Sequence, residues 1–325
     1  MNHPLIIFLS VLVALSLPAA VSNRTAEAGV TATIPDASDP VEKEFKRLME
    51  QDDEAQTEVD KWIRENNAFA QQGAGLPAAE LNQRILKRFA TVRQGYEDFI
   101  KRHPHHARVR VAYASFLSDI GEEDAAFPHL EKARELDPND PAIWNNLANY
   151  HGHNGPVTKA FEYYEKAIAL NSKEPVYYQN FGTTVFLFRK DAMEHYRINE
   201  QQVFDKALAL YREAMKLDPD DLPLASDMAL TYYGIKPPRN DEALQAWTNA
   251  FTLAKTEVER QGIHVHFARV KTHAGRFAEA RAHLNLITLP IYEELKPRLA
   301  RTLEEKEREA SGTSVPPPII EGKLH

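Results

Sequence analysis

Residues 141–167 carry Pro141-Ala-Ile-Trp144-Asn-Asn-Leu147-Ala148, then Gly155, Ala160, Tyr164 and Ala167. The spacing of the small residues decides the fold. Ala114, Ala148 and Gly182 are 34 residues apart, and Ala126 and Ala160 are 34 apart as well. Both series continue, with Ala229 and Ala268 after Gly182, and Ala207, Ala243 and Ala280 after Ala160. A fixed period of this length is the mark of a stacked helical-repeat protein, in which each unit buries its apolar face against the next.

The other units repeat the pattern. The first has Tyr113, Ala114, Gly121, Ala126, Leu130, Ala133 and Pro138; the third has Phe181, Gly182, Ala207, Tyr211, Ala214 and Pro219. The fourth has Met228, Ala229, Ala243, Trp247 and Ala250; the fifth has Phe267, Ala268, Gly275, Ala280, Leu284 and Ile287. Small residues let two antiparallel helices approach closely, large ones fill the next turn, and proline ends the second helix. This array, about five helix-turn-helix units over residues 107–294, resembles the tetratricopeptide repeat (TPR). The resemblance implies an all-α solenoid that acts as a binding surface, and it implies little about which partner is bound.

Counting between the two alanine series locates irregularities. The interval is 12 residues for 114→126, 148→160 and 268→280, but 25 for 182→207 and 14 for 229→243. The third unit therefore carries 13 extra residues, around Phe188 to Gln201, and the fourth carries two. Two readings of the long insertion stand side by side. In one it lengthens the second helix, with Asn199 as cap and Gln202 completing a capping box. In the other it forms an edge site, because the internal turns of a stacked array are neighbours. That site comprises Arg189, Lys190, His195, Tyr196 and Arg197 with Tyr232, Tyr233, Lys236 and Arg239, basic and aromatic groups suited to an anionic or carboxylate-bearing ligand.

Residues 41–106 read as an N-terminal helical hairpin. Val41, Phe45, Leu48, Ala55, Val59, Trp62 and Phe69 form a heptad-like seam broken by Asp52 and Asn66, and Leu81, Ile85, Phe89, Val92, Tyr96 and Phe99 share a face of the second helix. The hairpin either caps the first repeat or, through residues 41–69, forms a coiled coil that makes a homo-oligomer. A charged stretch from Ile291 to Ala310 reads as a helix that Pro297 should bend, with residues 295–310 as the C-terminal cap. Residues 311–325, with Pro316-Pro317-Pro318, read as a disordered tail.

Leu5 to Leu17 is an apolar run followed by small residues at 19–22, so residues 1–22 read as a secretory signal peptide and residues 23–40 as a flexible linker. An uncleaved anchor is the competing reading, because the stretch before the run has no Lys or Arg. Export places the protein in the periplasm of a bacterium or outside the cell, with no stable membrane insertion once the signal is removed. There is no cysteine, hence no disulfide, cysteine metal site or thiol nucleophile. A net charge of −8 without any Lys/Arg run argues against nucleic acid.

No phosphate loop, nucleophile elbow, His-Glu-x-x-His or dinucleotide fingerprint is present, so no enzyme activity, metal or cofactor is expected. Histidines cluster at His103/His105/His106, His151/His153 and His264/His266, but residues two apart on a helix point to different faces. First helices line the concave side of such an array. Their inward positions supply Asn145, Asn146 and Asn149, then Gln179, Asn180 and Thr183, then Ser226 and Asp227. Carboxamides both donate and accept, which suits the backbone of an extended peptide. The Lys/Asn/Arg clamp for a terminal carboxylate, found in some members of the family, is missing: Val111, Ser115, Pro223 and Asp227 stand at the matching positions. The expected function is a non-catalytic scaffold or adaptor that binds a protein or peptide in its groove. The alternative is an accessory subunit that binds a small anionic or carbohydrate ligand at the irregular turns of units three and four.

Overall fold

The computed structural model describes residues 38–71 and 73–312. The signal-peptide reading, most of the linker reading and nearly all of the tail reading fall outside the described residues. Among the described residues there are fourteen α-helices and no strand, in two compact units divided after Arg197. No helix among them is long and apolar enough to cross a membrane.

The first unit holds α1 (Pro40–Gln71), α2 (Ala78–Arg102), α3 (Ala107–Asp119), α4 (Glu123–Leu136), α5 (Pro141–Asn154), α6 (Val157–Leu170), α7 (Pro175–Leu187) and α8 (Arg189–Tyr196). Its helices start and stop where local chemistry dictates. Asp140 accepts from the Ala142 amide at 2.9 Å ahead of Pro141, a residue that needs no N–H partner in the first turn. Gly121, at φ 81°, takes the left-handed conformation that turns the chain from α3 into α4. Ala114, Ala126, Ala148, Ala160 and Gly182 are all buried.

The N-terminal hairpin shares one core with the first repeat. Phe45, Leu48 and Ala55 of α1, Val92, Tyr96 and Phe99 of α2, and Val109, Tyr113 and Phe116 of α3 belong to the same buried cluster. The two polar breaks in the seam are both used inside the hairpin. Asp52, buried, accepts a hydrogen bond from the Tyr96 hydroxyl at 2.6 Å. Asn66 accepts from the Leu76 amide at 2.6 Å and so pins the turn to α1. Burial raises the Asp52 pKa, and the bonds from Tyr96 and Gln56 oppose that rise.

The second unit holds α9 (Glu200–Leu217), α10 (Leu222–Thr231), a 3-10 turn at Tyr232–Gly234, α11 (Asn240–Leu253), α12 (Glu257–His273), α13 (Phe277–Asn285), a 3-10 turn at Pro290–Tyr292, and α14 (Leu295–Ala310). Capping boxes open two of these helices: Asn199 with Gln202 on α9, and Thr256 with Glu259 on α12. Ala207, Ala243 and Ala280 are buried, as are Ala229 and Ala268.

Two sequence expectations change in detail. The insertion of the third unit does lengthen a helix, since α9 has 18 residues where α4, α6 and α11 have 14. It also folds a separate eight-residue helix, α8, which ends at Arg197 in the left-handed region at φ 54°. Pro297 does not bend a long helix. The α-helix begins only at Leu295, so Pro297 lies in the first turn, where no intrahelical N–H bond is lost.

Candidate functional site

Within the first unit, polar side chains of α3, α5 and α7 come together and bond across the helices. Ser115 donates to Asn146 Oδ1 at 3.3 Å, and Asn146 Nδ2 donates to the Ala142 backbone carbonyl at 2.9 Å. Asn180 Nδ2 donates to Asn145 Oδ1 at 3.2 Å, with Asn145 buried beneath it. The Tyr164 hydroxyl donates to Asn149 Oδ1 at 2.6 Å and lies 3.2 Å from the Thr184 hydroxyl. Gln179 is half-buried, and its backbone carbonyl accepts from Thr183 at 3.0 Å. The result is an uncharged polar strip in which successive first helices are braced to one another. A carboxamide has two N–H donors and two acceptor lone pairs; Asn149 and Asn180 each use one of these in the bonds above and Asn146 uses two, which leaves capacity for an outside backbone.

The residues of the edge site divide between the two units. In the first, Arg189 and Lys190 are exposed at the start of α8. His195 and Tyr196 lay their rings on Phe161, at 5.4 and 5.6 Å between centroids. The Tyr196 hydroxyl donates to Glu165 at 3.0 Å, and burial together with that carboxylate raises its pKa. In the second, Tyr232 donates to Glu242 at 3.4 Å, and Tyr233 shares a 3.0 Å hydrogen bond with His266 Nδ1. Arg239 pairs with Asp205 at 2.6 Å and with Gln201 Oε1 at 2.8 Å, while Gln201 Nε2 donates to the exposed Lys236's carbonyl at 2.7 Å. Tyr196 in the first group, and Tyr232 and Arg239 in the second, therefore each bond a carboxylate of their own unit.

Two arrangements carry no signal in the one-dimensional pattern. Trp247 of α11 is fully buried and stacks on His266 of α12, centroids 3.9 Å apart and planes within 7°. Burial and the Arg269 charge push the His266 pKa down to about 3. His264 faces His283 of α13, 19 positions later in the chain, rather than its sequence neighbour His266. Among the described residues no set of three or more His, Asp or Glu converges as a metal site.

Profiles of the tetratricopeptide repeat match residues 107–150 and 141–174. The protein carries tetratricopeptide repeats. Over 155 residues it is 26% identical to the Photosystem I assembly protein Ycf3 of Rippkaea orientalis, covering 45% of this chain and 88% of that one. Over 89 residues it is 34% identical to Ycf3 of Cyanophora paradoxa, covering 27% of this chain and 51% of that one. Among solved structures it is similar to a monomeric mutant of IFIT1 with Gppp-AAAA. The TM-score there is 0.51 at 17% identity, covering 68% of this chain and 51% of that one, a likeness of fold alone.

Proposed function

We propose that this TPR protein is a non-catalytic adaptor that holds an extended protein segment along the carboxamide strip of α3, α5 and α7. The observation that carries the reading is the run Ser115, Asn145, Asn146, Asn149, Gln179, Asn180 and Thr183. All are polar and uncharged, in a chain in which 26% of residues are charged. Such a strip recognises backbone amides rather than a charged terminus, so binding should change little with ionic strength. The likeness to a photosystem I assembly protein supports a role in assembling a larger complex. The reading of a small anionic ligand at the irregular turns has less support, because Arg239 and Tyr196 are each bonded to a carboxylate of their own unit.

The test separates binding from folding. Asn180→Ala removes one internal side-chain hydrogen bond and Asn146→Ala removes two, each worth about 0.5–1.5 kcal/mol. The double variant should keep its helicity and lose the proteins captured by a photo-crosslinker placed at Gln179. An unchanged set of captured proteins would overturn the groove assignment.

The proposal includes export, on the strength of the Leu5–Leu17 run and the small residues after it. A mature N-terminus near residue 23 is expected by mass spectrometry of the native protein. An intact Met1 would remove the periplasmic or secreted placement.

A further inference from the structure

The second unit holds a pair of histidines that the adaptor reading leaves unused. His264 of α12 and His283 of α13 point their Nδ1 atoms at each other across 3.1 Å. Phe251 and Phe267 wall the pair: the His264 ring lies 5.2 Å from Phe251, and the His283 ring lies 4.9 Å from Phe267. Both histidines are half-buried. The charged groups that act on them are Glu257, Glu279 and Lys271, and Lys271 is itself paired with Glu279 at 2.6 Å. Taken together, the fixed charge around the pair is one negative unit.

We propose that His264 and His283 form a two-histidine binding site for a divalent late-transition-metal ion such as Zn²⁺ or Cu²⁺. The separation fits. Two imidazole nitrogens bound to one zinc by bonds of about 2.0–2.1 Å at the tetrahedral angle lie roughly 3.3 Å apart. The protonation fits as well. Burial lowers both pKa values, His283 to about 4 with help from Lys271, so both rings are neutral at pH 7 and hold lone pairs for a metal. In the metal-free pair one Nδ1–H donates to the other Nδ1. Loading moves that proton to Nε2 of the same ring, so both Nδ1 atoms bind with no net proton release. Water completes the coordination, which makes this an open, exchangeable site rather than a closed structural one. Copper should bind more tightly than zinc, in keeping with the usual order for imidazole ligands.

The site is tested on the full chain with Zn²⁺ as the probe. Isothermal titration at pH 7.5 should show one equivalent that is lost in His264→Gln and again in His283→Gln, and retained in His153→Gln, whose histidine lies in the first unit. Glutamine can still hydrogen-bond across the pair, and circular dichroism at each step reports whether the fold is kept. If both variants bind the same number of equivalents as the wild type, the proposal falls. Diffraction from zinc-soaked crystals of the wild type decides independently of any variant. An anomalous peak within about 2.2 Å of both Nδ1 atoms is expected. An intact His–His hydrogen bond with no peak between the rings would overturn the site.

Discussion

Trp247→Ala is expected to remove about 3–5 kcal/mol from the stability of the second unit, the range for truncating a fully buried large aromatic side chain. Trp247 is 0% exposed on α11, and its ring lies flat against His266 of α12. Alanine therefore loses the transfer free energy of an indole and leaves a cavity between two helices that α-helical backbone cannot collapse to fill. His266 would lose its stacking partner while staying buried. Trp144→Ala makes the comparison, because Trp144 is only half-buried and donates its indole N–H to the Pro138 carbonyl at 2.8 Å. Urea unfolding followed by circular dichroism should show a large fall in midpoint for Trp247→Ala and a smaller one for Trp144→Ala. Equal effects would mean that α11 does not pack on α12 through this ring.

Tyr96→Phe is the second large change, about 1.5–3 kcal/mol for a hydrogen bond to a charged group. The hydroxyl donates to Asp52, which is only 7% exposed, so the variant leaves a buried carboxylate short of a donor. The sign with pH follows from linkage. The Asp52 pKa is raised in the folded state, so protonating it favours folding, and that contribution fades as pH rises through the folded pKa. Removing Tyr96 takes away a bond that lowers this pKa, so it climbs further. The deficit of Tyr96→Phe should therefore be large at pH 7 and shrink as the solution is acidified toward pH 4. Asp52→Asn in the Tyr96→Phe background should recover much of the loss at pH 7, and chemical denaturation of the four variants closes the cycle. A deficit that stays constant from pH 7 to pH 4 would show that Asp52 is not the group involved.

Much of the fold is legible in one dimension because the repeat imposes its period on every unit. Ala126, Ala160, Ala207, Ala243 and Ala280 occupy equivalent places, and all are buried. Counting between alanines also locates the long insertion and its Asn199–Gln202 cap. What counting leaves open is the shape of Arg189–Tyr196. That segment is mostly polar, and its helix is seated by Ala192 and by the rings of His195 and Tyr196 on Phe161, which stands in an earlier helix. The bend expected at Pro297 is absent for a related reason: the effect of a proline depends on where its helix begins, and Ile291 belongs to a 3-10 turn ahead of it. The carboxamides were legible as a set, but the Asn145–Asn180 and Ser115–Asn146 bonds require the helices to be stacked. The two ring pairings of the second unit, Trp247 with His266 and His264 with His283, depend on which helix folds back on which, and no motif spacing records that.

The junction between α8 and α9 has a consequence for how the chain tolerates change. Arg197 halts one helix in a left-handed turn, and two residues later Asn199 and Gln202 start the next with bonds that close within four residues. Stop and start are thus written separately, each in its own neighbourhood. Because α9 starts from its own cap at Asn199, its phase is set by that cap rather than by the length of the segment before it. The start of α9 is thus specified apart from what precedes it, while α8 is held in place by the buried Ala192 and by the rings of His195 and Tyr196 on Phe161.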